Sequence, residues 1–85
     1  MKGFSIIIPV KEINDYLRES IPHLLALDYK DYEVLILPNE KPPSLESVFV
    51  DERVKIIASG AVSPAVKRDM GAEKAQFESL AFMHD

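Results

Sequence analysis

Cysteine is absent from this 85-residue chain, so neither a disulfide framework nor a thiolate metal site can be drawn from it. That absence suits a reducing compartment, and a cytoplasmic location is expected. An excess of basic charge is missing too: 10 lysines and arginines stand against 14 acidic residues, for a formal net charge of −4 and a pI near 5.1. Modules that grip a phosphate backbone usually carry a basic face, so nucleic acid is not an expected partner. No apolar run approaches the ~20 residues of a bilayer-spanning helix, and the N-terminus lacks the apolar core of a signal peptide. There is no repeat, low-complexity tract or internal linker. What is left is a chain with 47% apolar residues and room for one small core.

The first apolar run organises the rest. Ser5-Ile6-Ile7-Ile8 is unbroken and rich in β-branched residues, the pattern of a strand buried on both faces. Pro9 cannot donate to a ladder, so the strand is expected to end there. The chain would then leave the sheet at its carboxyl edge, where open α/β sheets bind ligands.

Ile13, Tyr16, Leu17, Ile21, Leu24 and Leu25 recur at helical spacing and predict an amphipathic helix over about 14–26. Pro22 lies within it and predicts a kink or a break. Tyr32 to Leu37 reads as a second buried strand, stopped by Pro38, and completes a right-handed βαβ unit. Asn39 to Ser44 (NEKPPS) forms turns, and Ser44 is placed to cap a short helix through Val48. Val54 to Ala58 predicts a third strand. Ser63-Pro64 opens a second helix that runs to about Ala75, and Ser79 to Met83 predicts a fourth strand.

A chain that winds outward from strand one through two and three must cross back to add strand four beside strand one. The expected fold is therefore α/β: a Rossmann-like three-layer α/β/α arrangement with a mainly parallel four-stranded sheet in the order 3-2-1-4. Its topological switch point falls between strands one and four. The aromatics Tyr16, Tyr29, Tyr32, Phe49, Phe77 and Phe82 read mainly as core.

Four segments carry a likeness to a known family. Ser5 to Val10, Tyr29 to Val34, Ser63 to Ala72 (SPAVKRDMGA) and Leu80 to Asp85 resemble, in order and spacing, the N-terminal part of family 2 glycosyltransferases of the GT-A fold. These are inverting enzymes that use nucleotide sugars. The third segment resembles the helix with the family's Ala-Arg-Asn-x-Gly type motif, and the last resembles the strand entering its metal-binding acidic motif. The resemblance implies that residues 1–85 form the nucleotide-sugar-binding part of a truncated domain, inactive alone, because the acceptor site and catalytic base come later in the family. It implies a nucleoside-diphosphate sugar, UDP-linked by expectation, and a divalent Mn or Mg ion that prefers oxygen ligands.

On that resemblance Arg68 contacts the nucleotide near a helix N-terminus, and Asp85 is a metal ligand. Pro9, Val10, Lys11 and Glu12 supply a wall and backbone groups for base or ribose, and Asn39 offers its amide to the base. The chain departs from the family at Lys11-Glu12-Ile13, where an aromatic, an Asn and a Glu are usual. It departs again at Pro38-Asn39, where two aspartates are common, and at His84, which replaces an Asp. Lys67 reads as surface, and His23 as structural.

A second class of reading is a non-catalytic α/β nucleotide-binding or protein-interaction module. A receiver domain would need clustered acids after strand one and an aspartate after strand three, where this chain has Ala58-Ser59-Gly60. A flavodoxin would need a Ser/Thr/Gly-rich phosphate loop, which Pro9-Val10-Lys11-Glu12 is not. On either reading strand four is expected to expose an unpaired edge with Leu80, Phe82 and Met83, and to favour homo-oligomers through it.

Overall fold

The computed structural model describes residues 3–28 and 31–83. Strand β1 (Phe4–Pro9) leads to helix α1 (Asp15–Leu25) and strand β2 (Tyr32–Leu37). Strand β3 (Val54–Ile56), helix α2 (Pro64–Lys74) and strand β4 (Ser79–Phe82) follow. All strand pairs are parallel, and the order is β3-β2-β1-β4. The two helices cover opposite faces, which gives the three-layer Rossmann-like α/β/α fold.

The split follows from alternation along the strands. Ile6, Ile8 and Val10 of the first run join Tyr32, Val34 and Ile36 on one face, where Leu17 and Ile21 of α1 and Phe49 pack. Ile7, Leu35 and Leu37 point the other way and meet Ile57, Met70 and Ala75. On the second face Gly71 brings α2 against the sheet. A Cβ there would lie 2.7 Å from Ile7 Cγ2. Phe4 stacks on Tyr32 with ring centroids 5.5 Å apart.

Strand β1 ends at Pro9, as expected, with Pro9 itself its last residue and paired with Leu37. In an extended strand the N–H groups of alternate residues point to opposite neighbours. Phe4 and Val10 donate to Asp31 and Leu37 on the β2 side, and the Ile7 carbonyl accepts from Met83 on the β4 side. Parity puts the missing N–H of Pro9 on the β4 side, past Phe82 at the end of β4, so the β1–β2 ladder loses nothing.

Pro22 does not break its helix: α1 is one continuous helix across it, capped by the Asn14 side chain on Leu17 N–H. Pro22 is exposed and forfeits a single backbone bond, while fully buried Leu17 and Ile21 hold the helix on the sheet. The short helix expected from Ser44 is instead a 3₁₀ turn at Ser47–Phe49 with no side-chain cap, set in place by the burial of Phe49. Strand β3 stops at Ile56, two residues early, though Ile57 N–H still donates to Ile36 O.

Ser63 caps α2 by accepting from Val66 N–H, with Pro64 at the first turn. Of the aromatics read as core, Tyr32 and Phe49 are buried, but Phe82 is 47% exposed, because β4 is an edge strand with no residue buried. Tyr29 lies outside the described residues. No helix among the described residues is long and apolar enough to cross a membrane.

Candidate functional site

The carboxyl edge of the sheet is where the loops after β1, β2 and β3 gather. Parallel pairing continues past the strand ends: Asn39 N–H donates to Lys11 O, Ser59 N–H to Pro38 O and Gly60 N–H to Asn39 O. Gly60 adopts a φ of 84°, the left-handed backbone that glycine enters without strain. These bonds stitch three loops into one rim.

Two clefts open on that rim. The larger, about 520 Å³, is lined by Lys11, Glu12, Asn39 and the turn-rich segment from Glu40 to Ser44, with Arg18 and Glu46. Its outer wall is tied down by Arg18, whose Nε and Nη2 donate to the two Glu46 oxygens at 2.9 and 3.0 Å while Nη1 reaches Asp15 at 2.8 Å. The smaller, about 410 Å³, is lined by Pro9, Val10, Lys11, Asn39, Ala61, Val62, Pro64 and Lys67.

The sequence-predicted residues fall unevenly on this rim. Pro9, Val10, Lys11 and Asn39 line the smaller cleft, and Lys11, Glu12 and Asn39 the larger. Lys11 and Glu12 are exposed, whereas Pro9 and Val10 are buried and present walls. Arg68 borders neither cleft. It is half-buried on α2, its side chain without a hydrogen bond or ion pair among the described residues. Asp85 and His84 lie outside the described residues. Among the described residues no three acidic, histidine or cysteine side chains gather as a cation site.

Lys67, read from the sequence as surface, is the correction that matters most. It is 3% exposed, and its ammonium donates to the Val10 carbonyl and to Asn39 Oδ1, the latter at 2.7 Å. Burial pushes its pKa below the ordinary lysine value, since desolvation disfavours the charged form. Lys67 shares a helix face with Gly71, four residues on, and Gly71 sits directly over Ile7. That spacing was the one signal in the sequence that turns Lys67 toward the sheet.

A second buried charge lies at the opposite, amino end. Glu33, whose side chain is 3% exposed, accepts from Ser5 Oγ at 2.8 Å, Gln76 N–H at 2.6 Å and Lys55 Nζ at 2.8 Å. Burial, the largest single influence, pushes the Glu33 pKa up. The hydrogen bonds from Lys55, Gln76 and Ser5 together outweigh it and leave the pKa below the ordinary glutamate value.

No family model, curated protein or solved structure matches this chain. The fold and the rim together define a class: a Rossmann-like α/β protein with paired clefts at the carboxyl edge of a parallel sheet, the edge at which such sheets place their ligands.

Proposed function

We propose that this chain is the nucleotide-diphospho-sugar-binding part of an inverting glycosyltransferase that transfers a sugar to an acceptor. Two things support the reading: the ordered likeness of four segments to family 2 sequences, and a single structural observation. Pro9, Val10, Lys11, Glu12 and Asn39, singled out from that likeness, converge on two adjoining clefts at one sheet edge. Buried Pro9 and Val10 would form an apolar wall for a base. The backbone groups of the stitched loops and the Lys11 ammonium would meet ribose and phosphate, and Arg68 would meet a part of the ligand that extends beyond the smaller cleft. An Mn or Mg ion, if held through Asp85, would bind by oxygen ligands.

Calorimetric titration of the chain with UDP, with and without manganese, tests this. Saturable binding of UDP that exceeds binding of uridine is expected, and absence of binding by both overturns it.

A second reading, a protein-interaction module that self-associates, draws on β4. Leu80 and Phe82 are 38% and 47% exposed on that edge strand, and a strand edge is a template for pairing with another copy. Concentration-dependent mass in the absence of any nucleotide binding would favour it.

A further inference from the structure

The buried ammonium of Lys67 has neutral acceptors only. It donates to a backbone carbonyl and to a side-chain amide oxygen, and among the described residues no carboxylate pairs with it. A buried lysine commonly either pairs with a carboxylate or loses its proton, because an isolated charge is expensive to desolvate. An ammonium also carries three donors, of which two are engaged here. Among the described residues the charge and one donor are therefore left over, at the wall of a cleft.

The composition of that cleft points the same way. Among the described residues its lining holds two lysines, Lys11 and Lys67, and no acidic residue, in a chain whose net charge is −4. The adjoining cleft mixes Glu12, Glu40 and Glu46 with its cations. The smaller cleft is thus a local reversal of the protein's overall field, and low-dielectric walls concentrate such a field. Pro64, the first residue of α2, lines it as well, so the positive end of the helix dipole adds to the same sign.

We propose that the smaller cleft is an anion site anchored by Lys67, and that its ligand is a phosphate or diphosphate group. Two cations in one small cleft match a multiply charged anion better than a single carboxylate. Lys67 supplies the fixed charge, held in place by Val10 and Asn39, and exposed Lys11 closes on the ligand from the solvent side. This deepens the nucleotide reading by assigning its phosphate contact, and that reading is only one of its supports, since the charge balance of the cleft holds without a base or a sugar.

Calorimetry with sodium pyrophosphate, UDP and uridine at low ionic strength, on the wild-type chain and on Lys67→Met, tests it. Pyrophosphate and UDP should bind the wild type, and Lys67→Met should weaken both by about 10- to 100-fold, the range for a hydrogen bond to a charged group. Folding of the variant is checked by circular dichroism. Should it fail to fold, amide chemical-shift mapping of pyrophosphate on the wild type decides: shifts centred on Val10, Lys11, Asn39 and Lys67 support the site, and shifts elsewhere overturn it. Failure of pyrophosphate to bind, or unchanged affinity in folded Lys67→Met, also overturns it. UDP binding that ignores Lys67 would leave the nucleotide reading standing and remove this one. Lys67-dependent pyrophosphate binding with no gain for UDP would do the reverse.

Discussion

Replacing Glu33 by Gln is the perturbation with the most to say about how this fold is held. The carboxylate is buried and takes three hydrogen bonds, from Ser5, Gln76 N–H and Lys55. The amide that replaces it keeps one oxygen, which can still accept from Ser5 and Gln76, but its NH₂ then faces the Lys55 ammonium. Two charge-assisted bonds become neutral ones at a loss of about 1 kcal/mol each. The Lys55 pair adds only about 0.5 kcal/mol, because Lys55 is 48% exposed and its attraction is screened by solvent. Relief of the carboxylate's desolvation returns part of this, so a net destabilisation of about 2 kcal/mol is expected. At a urea slope of about 1 kcal/mol/M that lowers the unfolding midpoint by about 2 M. Glu33→Leu should cost more, since it leaves the Ser5 hydroxyl and the Gln76 N–H without their acceptor.

The pH dependence has a definite sign. The folded pKa of Glu33 lies below the ordinary value, so its contribution is fully present above the unfolded pKa of about 4.3 and fades as pH falls through the folded value. The gap between wild type and Glu33→Gln, read by circular dichroism in urea, should be constant from pH 7 to 5 and shrink below about pH 4.3. Equal midpoints at pH 7, or a gap that widens in acid, would refute the reasoning.

Gly71→Ala should destabilise the fold by about 1 kcal/mol in spite of alanine's better helix propensity. Its Cβ would meet Ile7 Cγ2 at 2.7 Å, a branch atom on a fully buried strand that cannot swing aside; a rise in thermal midpoint would contradict this. Arg68→Ala should leave thermal stability little changed, because the Arg68 side chain makes no bond among the described residues, and should weaken UDP binding by about 1.5–3 kcal/mol. An unchanged dissociation constant in calorimetry would confine the ligand to the two clefts. Self-association, followed by light scattering across a concentration series, should be suppressed by Phe82→Lys, since charge on a strand edge opposes pairing. A wild-type chain that stays monomeric at high concentration would dispose of that expectation.

The parts of the fold that were readable are those that rest on apolar pattern. The runs Ser5 to Ile8 and Tyr32 to Leu37 are buried on both faces, and a strand of that kind has few other ways to satisfy its side chains. The order 3-2-1-4 was read from a chain that winds outward through β2 and β3 and then crosses back, and β4 does take the free edge of β1 and not that of β3. Pro9 ends β1 as expected, but Pro22 misled because a proline's effect on a helix depends on what its missing N–H would have faced. Pro22 faces solvent, so it does not interrupt the helix that periodicity builds. Phe82 misled for a related reason, since residue type says nothing about whether a second layer arrives to cover an edge strand.

The two buried charges were not legible as such, because a lysine beside an arginine on a helix, or a glutamate within a strand, ordinarily points to water. Their placement has one logic. Helix α1 is fastened by apolar side chains, with Leu17 and Ile21 fully buried. Helix α2 buries only Lys67 and Gly71, so its own hydrophobic grip is weak. It is fixed instead at both ends by polar contacts: Lys67 near its start reaches the loops after β1 and β2, and the N–H of Gln76 just past its end reaches Glu33 within the sheet. Gly71, between them, lets the backbone approach closely enough for both. The helix that borders the smaller cleft is therefore the one whose attachment depends on two buried ionisable groups, and the cleft's geometry is tied to their charge state in a way that the α1 side of the molecule is not.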